Sequence, residues 1–246
     1  MKLARLLAAL ALICICGSAS AQEETITSQP ILPNGQTANA PFRPEHRQQN
    51  WSTFGLGNCV VASCCQNAKF FNHPQWADTF KRLTQGVPGG HYPEKLEGLL
   101  KKALAQHPNL RWEQWSGQGE AGYQKLLDWN SKGFPVGITW GTGKNYGYRP
   151  IAHMVSLVHA DSAYWMIADN NFIDEFSTVP APEGRRRWAM GSDEWGVVII
   201  PPDDEWPMSP LQANGLAIVI VAALILYAFC GTVLALIVGF SGRKSS

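Results

Sequence analysis

The pattern of apolar and polar residues divides the chain into a helical first half and a β-rich second half. Apolar side chains recur at helical spacing in four segments, and Pro74 and Pro93 stand where the first turn of a helix accepts proline. The predicted helices are residues 59–71, 74–84, 93–106 and 119–131. From residue 134 the apolar runs become short and are separated by glycine, aspartate and asparagine, which predicts strands. The predicted strands are residues 134–140, 154–159, 164–168 and 195–200. The fold class is therefore α+β.

The two ends of the chain have the patterns of targeting segments. Residues 1–21 combine a basic start, an apolar run and a closing Ala-Ser-Ala, the three parts of a secretory signal peptide. Residues 215–240 contain no charged residue, and this stretch exceeds the roughly 20 residues that a transmembrane helix needs. The tail 241–246 is basic, which favours the cytoplasmic side. We therefore expect a single-pass type I protein of the cell membrane, whose partner is the lipid bilayer and whose main domain lies outside the cytoplasm.

Two segments that contain several prolines bound the predicted folded domain. Residues 22–47 are polar, contain four prolines and have no hydrophobic periodicity, so they predict a linker. Residues 203–214 follow a Pro-Pro pair and contain further prolines, so they predict a stiff stalk before the membrane. The folded core is expected at residues 48–202.

Composition excludes two classes of protein. Hydrophobic residues make up 46% of the chain, too many for a disordered protein. The formal net charge is +1, but four of the basic residues lie at the two ends. The central region is therefore slightly acidic and offers no phosphate-binding surface, so nucleic acid is not an expected partner.

Cys59 is the candidate nucleophile. Three cysteines remain outside the signal peptide and the membrane span, an odd number for an exported protein. Cys59 follows Gly-Leu-Gly-Asn at the predicted start of a helix, where the helix dipole and the unpaired amides favour a thiolate. Cys64 and Cys65 lie deeper in the same helix and are expected to be small buried side chains. The alternative for Cys59 is a packed or disulfide-bonded cysteine.

His153 and Asp169 are the candidate partners of this thiol. A thiolate nucleophile needs a histidine that a third group holds in place. His153 opens one predicted strand, and the next strand delivers Asp169 at its end. A hairpin that turns at residues 160–163 brings these two residues together, whereas His159 lies at its other end. No C-x-x-C or H-E-x-x-H spacing occurs, so we expect neither a metal nor another cofactor.

These segments resemble the papain-like cysteine peptidase superfamily, in particular the bacterial C39-like peptidases that cut leader peptides after double glycine. The resemblance rests on Gly-Asn-Cys-Val-Val-Ala-Ser at residues 57–63, Ala-His-Met-Val at residues 152–155 and Asp-Asn-Asn at residues 169–171. It covers roughly residues 50–200. It implies a helical N-terminal lobe that carries the cysteine and an antiparallel β-sheet C-terminal lobe that carries the histidine.

The resemblance also implies roles for single residues. Cys59 would be the nucleophile, His153 the general base and acid, and Asp169 the orienting group, with Asn170 or Asn171 as the alternative third member. The implied activity is hydrolysis of amide bonds in a peptide or protein substrate. Alternative functions are a cell-wall peptide amidase or transpeptidase, and a catalytically inactive module that binds partners at the membrane.

The sequence departs from the papain-like pattern at the oxyanion-stabilising residue. Papain-like enzymes usually carry a glutamine some six residues before the cysteine, but Thr53 stands at this position. Gln48, Gln49, Asn50 and Asn58 are the other candidate donors, together with Thr53 itself. The tryptophan that often follows the cysteine in that superfamily is absent here too.

Overall fold

Three helices follow one another in the first half of the molecule. The computed structural model describes residues 30–141, 153–203 and 206, and in it α1 is Cys59–Phe70, α2 is Pro74–Leu83 and α3 is Pro93–Leu104. α2 and α3 each begin with a proline, because the first turn of a helix has no use for the missing N–H. α1 is buried at every position from Val60 to Ala68. A helix that is buried all round lies in the centre of a domain.

The second half is built on an antiparallel sheet. The strands β1 (Ser52–Thr53) and β2 (Leu56–Gly57) form a small hairpin of their own just before α1. The six strands of the main sheet are β3 (Arg111–Trp115), β4 (Val136–Trp140), β5 (His153–Ala160), β6 (Tyr164–Ala168), β7 (Ser177–Pro180) and β8 (Gly196–Ile200). Their order is β3-β8-β4-β5-β6-β7, with every neighbouring pair antiparallel. β8, the last strand in the sequence, thus lies between β3 and β4.

Helices cover both faces of this sheet. Two more helices, α4 (Glu120–Ser131) and α5 (Ala181–Met190), lie in the second half of the chain. Along β8, Val197 and Ile199 join the cluster formed by α1, α2 and α3, whereas Val198 joins the cluster that contains residues of α4 and α5. Successive side chains of a strand point to opposite faces, so the two clusters lie on opposite sides of the sheet. The mixed α and antiparallel β architecture expected from the sequence is confirmed.

The first residues of the described chain belong to the folded domain. Ala40 and Phe42 are fully buried, and the backbone N–H of Ala40 donates to the Val158 carbonyl at 2.8 Å. The Phe42 ring stacks on the Phe70 ring of α1 at a centroid distance of 5.3 Å. The prediction that residues 22–47 form a linker is therefore wrong for residues 31–47. It failed because isolated apolar residues in an extended segment leave no periodic signal.

The targeting segments lie outside the described residues. This applies to the predicted signal peptide at residues 1–21, the membrane span at 215–240, the tail at 241–246 and all of the predicted stalk except Asp203 and Trp206. Within the described ranges, no helix combines the length and the apolar content that a membrane crossing requires.

Candidate active site

Cys59 is the first residue of α1, and the preceding hairpin fixes its position. The backbone N–H of Asn58 donates to the Trp51 carbonyl at 2.8 Å and to the side-chain oxygen of Asn50 at 3.0 Å. The side-chain amide of Asn58 donates to Thr53 Oγ1 at 2.9 Å. The first N–H groups of a helix have no partner inside the helix, so they form a positive environment for the thiol.

His153 and Asp169 meet at the open end of the β5–β6 hairpin. The Nε2 atom of His153 lies 2.8 Å from Asp169 Oδ1, and both side chains are buried. The same carboxylate oxygen accepts a hydrogen bond from the backbone N–H of Asn171 at 2.9 Å. His159 lies 3.2 Å from Asp161 at the turn, the other end of the hairpin. The contact predicted from hairpin geometry is therefore present.

The His153 ring also contacts the candidate nucleophile. Burial would raise the pKa of the Cys59 thiol, but a hydrogen bond to His153 and the charge of that ring lower it. Backbone hydrogen bonds from Met154 and Val60 act in the same direction, and the pKa of Cys59 is lowered overall. Because Nε2 faces Asp169, Nδ1 is the ring nitrogen available to the sulfur.

The effect on the histidine is reciprocal. Burial would lower the pKa of His153, but the hydrogen bonds and charges of Asp169 and Cys59 raise it to about 9. A thiol with a lowered pKa beside an imidazole with a raised one favours the thiolate–imidazolium pair, and the two groups titrate together. This is the protonation state from which a cysteine attacks.

Asn170 is a structural residue of the site. Its fully buried side-chain amide lies 3.0 Å from the Cys59 carbonyl and from Ser63 Oγ, and 2.9 Å from the Met154 carbonyl. These contacts tie the first turn of α1 to the start of β5. Asp169, not Asn170, contacts the His153 ring. The sequence predicts Asp169 as the orienting group, with Asn170 or Asn171 as the alternative.

Asn50 is the one sequence-proposed oxyanion donor that lines the cavity above Cys59. Its side-chain nitrogen donates to Asn171 Oδ1 at 3.0 Å, and the amide has a second hydrogen to offer. The side chain of Gln48 instead donates to the Gln49 carbonyl and accepts from Lys69. The Asn58 amide is engaged with Trp51 and Thr53.

The cavity has a volume of about 500 Å³, and both Cys59 and His153 line it. Its walls come from the β1–β2 hairpin, the loop before α3, the first residues of α1 and β5, and the turn before β8. His91, on the loop before α3, has a pKa lowered to about 4 by burial and by the charge of Lys95, so its ring is neutral near pH 7. The volume falls within the range of small-molecule and side-chain binding sites.

The other cysteines have no access to this cavity. All three described cysteines are free, and Cys64 and Cys65 are fully buried. Burial raises the pKa of both, that of Cys65 to about 12. Among the described residues, no cluster of His, Cys, Asp and Glu has an arrangement that could hold a metal ion.

Comparisons with known proteins find similarity to three-dimensional structures only. No family model and no curated protein matches the chain. The peptidase domain of the ABC transporter ComA of Streptococcus is 13% identical with a TM-score of 0.41, over 58% of this chain and 91% of that chain. A double glycine motif protease from an AMS/PCAT transporter, solved with its leader peptide, is 20% identical with a TM-score of 0.37, over 63% and 94%. A chain described as a C39-like peptidase from Bacillus anthracis is 13% identical with a TM-score of 0.40, over 71% and 96%. Peptidases of the C39 type, to which the sequence was expected to be similar, are therefore among these structures.

Proposed function

We propose that this chain is a thiol hydrolase that cleaves peptide bonds, with Cys59 as nucleophile, His153 as general acid and base, and Asp169 as the group that orients the imidazole. The observation that carries the proposal is the arrangement of these three side chains. A cysteine at a helix N-terminus has a lowered pKa, shares a hydrogen bond with a histidine held by a buried carboxylate, and lines a cavity. Nucleophile, base and orienting group are the parts that acyl transfer requires.

In the acylation step, the Cys59 thiolate attacks the carbonyl carbon of the substrate amide and forms a carbon–sulfur bond. The carbonyl oxygen becomes an oxyanion, and its candidate donors are the Asn50 amide, which lines the cavity, and the first N–H groups of α1. The His153 imidazolium gives its Nδ1 proton to the amide nitrogen as the carbon–nitrogen bond breaks. The amine leaves, and the acyl group remains on Cys59 as a thioester.

In the deacylation step, the neutral His153 ring accepts a proton from a water molecule. The water oxygen attacks the thioester carbonyl, and the carbon–sulfur bond breaks. The carboxylic acid product leaves, and the thiolate–imidazolium pair is restored. Asp169 stabilises the charged ring in both steps without exchanging a proton itself.

The proposal includes the location of the domain. Residues 1–21 would direct export, and residues 215–240 would tether the domain to the membrane from outside the cytoplasm. The full chain should then resist extraction by alkaline carbonate, and protease added to spheroplasts should digest the domain. Release into the soluble fraction, or protection from the protease in intact spheroplasts, would contradict this part of the proposal.

The experiment that tests the activity compares cysteine variants of the full chain in detergent. A mixture of short synthetic peptides is incubated with each protein, and the products are identified by mass spectrometry. We expect cleavage by the wild type and by Cys65→Ala, whose buried thiol does not reach the cavity, and none by Cys59→Ala. Cleavage by Cys59→Ala would end the thiol mechanism. Retention of peptides without cleavage by the wild type would favour the inactive binding module.

A further inference from the structure

Asp193 lines the same cavity as Cys59 and lies in the middle of a turn with an unusual backbone. Asp193 and Glu194 both have positive φ angles, 55° and 50°, within the short turn Ser192–Glu194 that joins α5 to β8. Residues other than glycine adopt this conformation at a cost, and they are found in it mainly where the surrounding structure demands it, often at functional sites.

Contacts from a neighbouring loop hold this turn in place. The Asp193 carbonyl accepts a hydrogen bond from the Gly117 N–H at 2.6 Å, and the Glu194 carboxylate accepts one from the Gly119 N–H at 3.0 Å. On the other side of the turn, the Trp195 N–H donates to Thr139 Oγ1 at 3.1 Å. The backbone of Asp193 is thereby fixed, whereas its side chain is exposed at the cavity.

The carboxylate of Asp193 has no cationic partner among the described residues. Many surface carboxylates of this protein are paired, for example Glu113 with Lys125 at 2.9 Å and Asp128 with Lys132 at 2.7 Å. Across residues 30–141, 153–203 and 206, no lysine or arginine lies within ion-pair distance of Asp193. A carboxylate held by this turn, with no counter-ion among the described residues, is available to a ligand.

The described residues that line the cavity include no lysine or arginine. The imidazolium of His153 is engaged by Asp169 and the Cys59 thiolate, and His91 is neutral near pH 7. Lys95, in the first turn of α3, is a cation close to His91 but is not among the lining residues, and it donates to the carbonyls of Gly89 and Gly90. A cleft lined by charge of one sign attracts the opposite charge, because its low-dielectric walls concentrate the field.

We infer that Asp193 makes this cavity select substrates with a lysine or arginine side chain close to the scissile bond. The inference rests on the proposed function and names the substrate class of that site. Tyr92 and Trp195 line the same cavity and offer apolar surface for the methylene stem of such a side chain, while its cationic end pairs with Asp193. Aromatic rings also attract a cation directly.

The test uses the full chain in detergent and a synthetic mixture of capped peptides. In this mixture Lys, Gln and Glu replace one another at each central position, and mass spectrometry measures the cleavage rate of every member. For the wild type we expect Lys to be preferred over Gln by about fivefold at one position near the cleaved bond, as for a single partly exposed ion pair. Asp193→Asn should bring this preference to parity, because asparagine tolerates the same backbone but carries no charge.

Asp78→Asn is the matched control, since Asp78 is an exposed aspartate of α2 outside the cavity. This variant should keep the full preference for Lys. Equal cleavage of Lys and Gln peptides at every position by the wild type would overturn the inference and leave the proposed hydrolase intact. A preference that survives in Asp193→Asn would overturn it as well.

A binding measurement separates this inference from the proposed function. Cys59→Ala protein is immobilised, and the retained members of the same mixture are quantified. We expect Cys59→Ala to retain more Lys than Gln peptides. The double variant Cys59→Ala, Asp193→Asn should retain equal amounts of the two. If no variant cleaves any peptide, the proposed hydrolase fails, and this binding result alone decides the role of Asp193. The same ratio of retained Lys to Gln peptides on both proteins would overturn that role.

Discussion

At Cys59, burial and a neighbouring ring act on the thiol in opposite directions. Burial alone would leave a thiol with a raised pKa, as it does at Cys64 and Cys65 in the same helix. The difference at Cys59 is the hydrogen bond to His153 together with the backbone donors Val60, at the start of the helix, and Met154, at the start of β5. Reactivity at this residue therefore depends on the histidine more than on the helix.

This dependence predicts the alkylation behaviour of the three thiols. Iodoacetamide at mildly acidic pH should label Cys59 in the wild type and leave Cys64 and Cys65 unlabelled. In His153→Ala, Cys59 remains buried but loses the hydrogen bond and the charge of the ring that lower its pKa. The pKa of Cys59 should therefore rise, and labelling at that pH should fall more than tenfold. Peptide mapping by mass spectrometry measures each site. Equal labelling of all three cysteines, or an unchanged rate in His153→Ala, would contradict the assignment.

The two shifted pKa values also predict the pH dependence of cleavage. The acid limb of kcat/KM should lie below the ordinary range of thiols, because the pKa of Cys59 is lowered. Activity should fall again above about pH 9, where His153 loses the proton that the leaving amine needs. The profile is measured with one peptide substrate at constant ionic strength. Activity that keeps rising above pH 10 would show that no protonated imidazole takes part.

Substitutions in the proposed triad should differ in severity. Cys59→Ala and His153→Ala remove the attacking group and its base, so turnover should drop to background. Asp169→Asn still accepts the Asn171 N–H but no longer stabilises the imidazolium, so kcat should fall by on the order of 10³-fold and remain measurable. An active Asp169→Ala beside an inactive Asn171→Ala would move the third role to the asparagine.

Asn50 can be tested separately from the nucleophile. Asn50→Ala removes a donor to the oxyanion, so kcat should fall by about 10²-fold. The alkylation rate of Cys59 should stay close to that of the wild type, because this reaction forms no oxyanion. A parallel loss of both rates would mean that Asn50 acts through its hydrogen bond to the Asn58 N–H and supports the helix start instead.

Among the secondary-structure elements, a glycine loop holds the cavity wall together. The N–H groups of Gly89 and Gly90 donate to the carbonyls of Thr53 and Gly57, which joins the loop before α3 to the β1–β2 hairpin. A Cβ atom at Gly89 would lie 2.0 Å from the Leu56 carbonyl oxygen, so only glycine fits between the two segments. The hairpin and this loop form neighbouring walls of the cavity.

Two glycine substitutions should therefore have opposite effects. Gly89→Ala should force the loop away from the hairpin and lower the free energy of unfolding by about 1–3 kcal/mol, with a loss of cleavage. Gly98→Ala, in the middle of α3 with open space around the new methyl group, should raise the free energy of unfolding by up to about 1 kcal/mol. Chemical denaturation of both variants gives the comparison. Equal stability of the two would contradict the close contact at Leu56.

The helices and strands that the sequence predicts correctly are those whose own residues show a periodic pattern of apolar positions. All four predicted helices and the four predicted strands are present with small shifts at their ends, and the His153–Asp169 contact followed from one short hairpin. β3 was missed because its polar groups are paired only in the folded structure, where Trp112 and Gln114 donate to Glu97 of α3. α5 was missed because it contains Gly184, which packs directly on the Trp165 ring. Only the folded structure reveals either reason.

Across the whole molecule, the segment before the hairpin connects distant parts of the domain. Arg47 donates to the carbonyls of Asp169, Phe172 and Glu175, and the Asn50 N–H donates to the Asn170 carbonyl. Residues assigned to a linker by their composition thus support the loop that carries Asp169. Composition could not have shown this, since the contacts span more than a hundred residues.

The buried ring of Phe42 tests this packing. Phe42→Ala in the full chain should lower the free energy of unfolding of the domain by about 3–5 kcal/mol, as for a large buried aromatic side chain. Ile31→Ala is the control, because Ile31 is 64% exposed and its loss should change stability by less than about 0.5 kcal/mol. Denaturant titration followed by near-UV circular dichroism measures both. A neutral Phe42→Ala would restore the linker interpretation.

The position of β8 has a consequence for biosynthesis. This strand is the last of the domain to be synthesised, yet it pairs between β3 and β4, and its Val197 and Ile199 pack in the cluster that surrounds α1. A nascent chain that still lacks β8 has a gap in the middle of its sheet and an incomplete support for Cys59. Domains generally fold as units during synthesis. We therefore expect the Cys59–His153 pair to form only after the whole domain has emerged, so that the growing polypeptide is not exposed to an activated thiol during translation.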